Sequence, residues 1–434
     1  MKILHTIKKK LKGQFIKNFF TLLTGNSLSQ IITFSALPIL TRLYSEELFG
    51  ILMVYSSTIL LFKPVVSLSY ELSIMLPKRD KDAINLLFIN LYIITSFSIL
   101  FFLIILFFRN NILSLLNINK LGNYIYLIPV SLFLINIITL LESWNNRNNA
   151  FKKITFGIVG KHSSMSASQI SMGVSRLQKF GLIAGLILGQ IINFAILLVT
   201  TMKSIFKLYH FVSLKRMLYL AKVFRDIPIF TTIVSFTNNL SNELPLLLIS
   251  RYYGLEATGI YGLANKICRA PAGIVSGSIS PVFFNEASKT INLNSNLYIL
   301  VKKTYLHILY LAILIFSAVF IISFFLSDLL GGNWEEIGLY IRILLPWIFL
   351  GFLNSPISSL ITVLNKQKIF VAYDIALLTF RFFAIYVSYR LFNDIIISII
   401  TFSIVGIIFN IIVLCYYIYI AKHFSLNKKK IYNR

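Results

Sequence analysis

The chain has 434 residues, of which 57% are hydrophobic and only 13% charged, and its mean hydropathy is +0.80. Soluble domains carry about 25% charged residues, so this chain cannot cover itself in water, and a soluble globular fold is excluded. Its net charge of +26 would suggest nucleic acid in a soluble protein; in a membrane protein it points to Lys- and Arg-rich cytoplasmic segments instead, and no nucleic-acid partner is expected.

A helix needs about 20 apolar residues to cross the hydrocarbon core. Twelve such stretches predict helices at 18–43, 48–71, 83–108, 121–144, 156–178, 180–202, 228–250, 259–283, 304–327, 337–363, 368–391 and 394–421. The lysines Lys2, Lys8, Lys9, Lys10, Lys12 and Lys17 precede the first stretch. That stretch is longer than a signal peptide's apolar region and leads straight into another span, so it is expected to remain as helix one. The fifth stretch, with KHSSMSASQISMGVSRLQ, is too polar for lipid and must lie against other helices or a wet cavity. Nine of the ten prolines, all but Pro77, fall within or at the ends of these spans. Bundles tolerate them where neighbours satisfy the freed carbonyls. Gly181, Gly185 and Gly189 stand one turn apart, as do Gly273 and Gly277, a spacing that lets helix backbones approach closely.

Charge placement orders these spans. With the N-terminus inside, the outer links hold only Arg42, Arg109, Lys120, Arg176, Lys179, Arg251 and Arg390 of the 41 Lys and Arg. The basic residues outside the spans otherwise collect in the inner segments, so an even number of helices with both termini cytoplasmic is expected. TRLYSEELFGI at 41–51 returns as SRYYGLEATGI at 250–260, both reading Arg-x-Tyr-x-x-Glu-x-x-Gly-Ile. In this topology Arg42 and Arg251 each end the first helix of a six-helix half, which predicts parallel repeats; coincidence between two short turns is the alternative. The expected architecture is all-α and polytopic, with two pseudo-symmetric six-helix bundles around a central cavity. The bundles are 1–202 and 228–434, joined by a basic cytoplasmic linker at 203–227.

Charges at membrane depth are costly and usually mark a pathway. Lys63, Lys266, Arg269, Arg342 and Arg381 lie within predicted spans, against the carboxylates Glu142, Glu243 and Asp374, with Glu71 at a span's end. Lys266 and Arg269, three apart, share a helix face, as do Asp374 and Arg381, seven apart. The surplus is positive, which suits an anion. Each residue also has a plainer reading: Arg381 pairing with Asp374, Glu243 with Arg269 or Lys266, and Lys63 or Arg342 snorkelling.

Catalytic signatures are absent: no HExxH, GxSxG, GxGxxG or GxxxxGK[ST] occurs. Asp80-Lys81-Asp82 matches the DxD of metal-using glycosyltransferases but sits in a short basic loop. Cys268 and Cys415 both fall in apolar stretches, and the five histidines are scattered. No catalytic residue, metal site or cofactor is expected, and the chain is not read as an enzyme.

In NSLSQIITFSALPILTRLYSEELFGI (26–51), SYELSIMLPKRDKDAINL (69–86), SNELPLLLISRYYGLEATGIYGLANKICRAP (241–271) and SPVFFNEAS (280–288) the chain resembles Wzx-type O-antigen and polysaccharide flippases. These belong to the multidrug/oligosaccharidyl-lipid/polysaccharide exporter superfamily. The resemblance implies a V-shaped pair of six-helix bundles with a central cationic cavity in the bacterial inner membrane. The cargo it implies is an undecaprenyl-diphosphate-linked oligosaccharide, moved to the outer leaflet by alternating access and driven by H+ or Na+ exchange or by membrane potential. Contact with a polysaccharide polymerase is a further expected partnership, alongside the membrane lipids. Lys63, Lys266, Arg269, Arg342 and Arg381, with Arg42 at the outer end, are the candidate cavity cations; Arg42 has Glu47 as an alternative partner. Glu142, Glu243 and Asp374 are the candidate coupling or charge-partner carboxylates. Two other readings remain open. A cation-coupled drug exporter of the same superfamily would prefer an acidic cavity, and a membrane polymerase would carry a large outer loop.

Overall fold

The computed structural model describes residues 2–116, 119–175, 177–292, 296–364 and 366–432, among which there is no β-strand. In chain order the longer helices are α1 (Lys2–Leu43), α2 (Glu46–Ser67), α3 (Asp80–Leu116), α4 (Leu127–Arg147), α5 (Phe151–Val174) and α6 (Gln178–Leu208). After the short α7 (Leu214–Val223) come α8 (Thr232–Asn292), α9 (Leu297–Ile322), the short α10 (Leu326–Leu330), α11 (Ile337–Asn354), the one-turn α12 (Leu360–Val363), α13 (Gln367–Phe392) and α14 (Ile395–Tyr432). Each of the twelve expected segments is helical, α8 supplying two of them on either side of a break at Gly254. The protein is an all-α polytopic membrane protein. By length and composition, eight helices among the described residues can cross a membrane. The four expected segments outside that set, in α1, α5 and the two parts of α8, are richer in hydroxyl, amide and charged side chains. Polarity is therefore spread over four segments rather than confined to the fifth.

Local signals explain several boundaries. Asn296 caps α9 by accepting from the backbone N–H groups of Tyr298 and Ile299, and Asp394 accepts from Ile396 at 2.7 Å at the start of α14. Asn393, with φ 49°, closes α13 in the left-handed region where Asn is tolerated. The expected single span 337–363 is broken after Asn354 by a 3-10 turn at Ser355–Ile357, because Pro356 has no N–H to continue the ladder. Asn354 bridges the break, donating to the Asn410 carbonyl at 2.8 Å and accepting from Tyr305 at 3.0 Å.

The chain forms two compact units, Met1–Gly259 and Ile260–Arg434. This division falls inside α8, because residues before Gly259 pack with the first unit. Within that unit α5 lies against α1 and α6, as its polarity requires. Tyr44 donates to the Gln169 carbonyl at 2.6 Å, Gln169 donates to the Leu182 carbonyl at 2.8 Å, and Thr33 is 2.9 Å from His162 Nδ1. The glycine series of α6 serves this contact: a methyl group on Gly189 would lie 2.8 Å from the Lys161 carbonyl oxygen.

The repeated phrase also has a structural counterpart. Ser45 is extended and separates α1 from α2; 209 positions on, Gly254 interrupts α8 at φ 88°, a conformation that demands glycine. After each break the helix carries its repeat glycine. A methyl group on Gly50 would lie 2.0 Å from the Leu255 carbonyl oxygen, and one on Gly259 would lie 2.0 Å from that of Glu46. Glu46 and Leu255 are themselves counterparts in the repeat. The contact is therefore reciprocal, a local two-fold in which each glycine seats on the other copy's first turn, close enough for Cα–H···O contact. Other residues of the phrase tie it outward: Glu47 pairs with Lys120, and Arg251 donates to the Ser114 carbonyl at 2.9 Å. Arg42 is exposed.

Links expected on one side of the membrane meet one another. The two repeat turns reach the 109–120 link. At the other end Arg147 holds Asp80 at 2.9 Å and Arg216 holds Asp82 at 2.7 Å, while Asn85 accepts from the Ser213 backbone N–H at 2.9 Å. Both carboxylates of Asp80-Lys81-Asp82 thus have guanidinium partners, and they fasten α3 to α4 and α7.

Gly50→Ala or Gly259→Ala places Cβ against a backbone oxygen that cannot rotate away. Each is expected to cost about 1–3 kcal/mol by overpacking. Because one separation relieves both clashes, the double variant should cost clearly less than the two singles together. Thermal unfolding in detergent measures this, with Gly273→Ala, whose added methyl meets nothing within 4 Å among the described residues, as the uncrowded control.

Candidate functional site

The candidate residues fall into two groups, one in each unit. In the first unit Lys63 stands on α2, Glu142 on α4 and Lys161 on α5, near enough for the carboxylate to feel both ammonium groups. All three are enclosed by protein yet keep some accessible surface. Lys161 falls in the predicted fifth span without being among the candidate cations; the structure sets it well inside α5. Its signal was a lysine amid a polar run on a predicted span. Glu243, on the first part of α8, accepts from Ser57 Oγ on α2 at 2.5 Å.

The second unit holds the tighter cluster. Arg269, on α8 beyond Gly254, lies with its guanidinium carbon 4.9 Å from the Trp347 ring centroid on α11. Arg381 on α13 lies 5.2 Å from the same ring and 5.2 Å from Phe402 on α14. The two guanidinium groups therefore share one indole, and each senses the other's charge. Asp374, two turns before Arg381 on α13, is the carboxylate that acts on it. Arg381 is only 4% exposed. A cation over a desolvated aromatic face gains about 2 kcal/mol or more, which helps hold two like charges together. Phe402 meets Trp347 edge-on at 5.5 Å, and Tyr261 meets Phe402 at 6.5 Å.

Lys266 is on the same helix as Arg269 and is exposed. Arg342 is not brought into this cluster. Five residues before Trp347, it lies about 140° around α11 and stacks 4.5 Å from the exposed ring of Phe324. Trp347 itself carried no sequence signal, since the arginines that meet on it come from helices far apart in the chain.

Residues 39–339 match the family described as "Polysaccharide biosynthesis protein". The chain belongs to this family. The matched region includes Lys63, Glu142, Lys161, Glu243, Lys266 and Arg269 and ends before Arg342. No curated protein sequence matches this family member. Its fold is that of MATE transporters of the MOP superfamily. An inward-facing multidrug resistance MATE family transporter matches with a TM-score of 0.70 at 11% identity, covering 92% of this chain and 96% of that one. A mutant of the Vibrio cholerae MATE transporter VcmN matches at 0.59 and 13% identity, covering 99% and 100%. An outward-facing multidrug resistance MATE family transporter matches at 0.57 and 11%, covering 94% and 96%.

The first-unit cluster predicts a compensation test. Glu142→Gln leaves two enclosed ammonium groups without their carboxylate and should cost about 1–3 kcal/mol, the accessible surface keeping it below the full cost of breaking a buried pair. Adding Lys161→Met should recover most of that loss, read as the melting temperature of the purified protein in detergent.

Proposed function

We propose that this polysaccharide biosynthesis protein is a flippase that carries an undecaprenyl-diphosphate-linked oligosaccharide from the cytoplasmic to the outer leaflet of the bacterial inner membrane. The observation that carries the reading is the pair Arg269 and Arg381 held on Trp347 with Asp374 as the neighbouring carboxylate. A diphosphate head group is a charge complement for two guanidinium groups gathered on one ring, and guanidinium groups match phosphate oxygens in bidentate geometry. The family match supports polysaccharide chemistry. Its basic inner segments support cytoplasmic termini.

The two units divide the work under this reading. The second binds the head group through Arg269 and Arg381, with Lys266 beside them. In the first, Lys63 and Lys161 face Glu142, and Glu243 accepts from Ser57. Its carboxylates suit reversible binding of H+ or Na+ as a coupling step. The membrane potential adds its own drive, about 2.3 kcal/mol per charge per 100 mV for an anion moving outward.

A cation-coupled drug exporter is the second reading, favoured by the multidrug transporters that share the fold. The positive excess in the second unit weighs against it.

Complementation decides between them. In a strain lacking its own flippase and supplied with the matching sugar-assembly enzymes, the wild-type chain should restore surface polysaccharide. Arg269→Ala and Arg381→Ala should each reduce it at least tenfold while the protein inserts at normal level. Undiminished polymer in both variants would remove the head-group assignment, and drug resistance without polymer would favour the exporter.

A further inference from the structure

The chain has three tryptophans, and they differ in what their N–H groups do. Trp144 donates to Ser204 Oγ at 3.0 Å. Trp347 is 5% exposed, yet its Nε1 has no hydrogen-bond partner among the described residues. A buried indole normally finds a partner for this donor, and leaving one unmade costs free energy. The orphan belongs to the same ring on which Arg269 and Arg381 stack.

We propose that Trp347 is the organising residue of a phosphate seat, its ring setting the two guanidinium groups and its Nε1–H donating to a phosphate oxygen. This rests on the proposed flippase reading and deepens it by adding a residue with a defined role. Cations over the ring and a donor at its rim offer an oxyanion several donors at once. A tetrahedral phosphate with adjacent oxygens can use all of them; a planar carboxylate presents only two acceptors. With no protein acceptor for this N–H among the described residues, a phosphate oxygen there would supply one, a bond to a charged acceptor that adds to affinity. Phenylalanine would fill much of the space and stack with the arginines but could not donate. Gly406 on α14 fits this role. A methyl group there would lie 3.1 Å from Trp347 Cβ and 3.2 Å from Cγ, so glycine lets the indole settle where it does.

The test is calorimetric titration of the purified full-length protein in detergent with inorganic pyrophosphate and, separately, farnesyl diphosphate. Trp347→Phe should weaken pyrophosphate about tenfold, the usual effect of losing one hydrogen bond to a charged group, at unchanged melting temperature. Trp347→Leu, which also removes the ring, should weaken it further. Gly406→Ala should weaken it without removing any polar group. Tighter farnesyl diphosphate binding, with the same sensitivity to Trp347→Phe, would identify a lipid diphosphate as the ligand; equal affinities would identify a soluble one. Parental affinity in both Trp347→Phe and Gly406→Ala would overturn the assignment while leaving the flippase reading to the complementation of Arg269→Ala and Arg381→Ala. Absence of pyrophosphate binding by the parent protein would overturn it as well.

Discussion

A charge at membrane depth has to be compensated by the protein around it, because hydrocarbon offers neither water nor counter-ions. The two units meet this constraint differently. In the first, Lys63 and Lys161 gather about Glu142, so opposite charges do the work. In the second, Arg269 and Arg381 are held by the faces of Trp347 and Phe402, with Asp374 nearby. Aromatic rings stabilise a cation without cancelling it.

Holding such groups in register requires helices that pack closely without a hydrophobic driving force, since lipid is as apolar as leucine. Small residues meet that need twice in the first unit. The α5–α6 contact uses the Gly181, Gly185 and Gly189 series, which lets a polar helix bury its hydroxyl and amide groups against neighbours. The repeat contact uses Gly50 and Gly259 against the first turns of each other's helices. The repeat thus preserves a backbone contact as well as a turn: each copy supplies both the glycine and the carbonyl that the other copy needs. Its more polar residues hold adjoining links, as Glu47 does with Lys120 and Arg251 with the Ser114 carbonyl.

How much of this was legible from sequence follows from what each feature depends on. Helix number and approximate limits depend on hydropathy along the chain, and all twelve expected segments are helical. The break after α11 was less visible, because Pro356 reads equally as a kink or a stop. Lys161 was readable in principle, as a lysine in a polar run on a span. Trp347 was not: its importance comes from Arg269 and Arg381 arriving on one ring from separate helices, and no local pattern encodes that meeting. The same limit applies to Arg342, whose place on α11 resembles a cavity cation until the helix's angular order sets it away from Trp347 and over Phe324. Asp80-Lys81-Asp82 shows the converse. Its spacing suggests metal chemistry, but Arg147 and Arg216 engage the two carboxylates in a role that depends on three-dimensional neighbours.

The sign of the charge in each unit then bears on the choice of cargo. A transporter for cations needs carboxylates in excess where cargo binds, and the second unit offers Asp374 against two clustered arginines and a nearby lysine. A transporter for a diphosphate needs the reverse, together with carboxylates elsewhere whose occupancy by H+ or Na+ can pace the cycle. Under the proposed reading Glu142 and Glu243 in the first unit are the candidates for that second need. The pairing of Arg269 and Arg381 on one ring, more than the total of +26 on the chain, is the electrostatic argument for the proposed anionic head group, because most of the remaining basic residues lie outside the spans and report on topology.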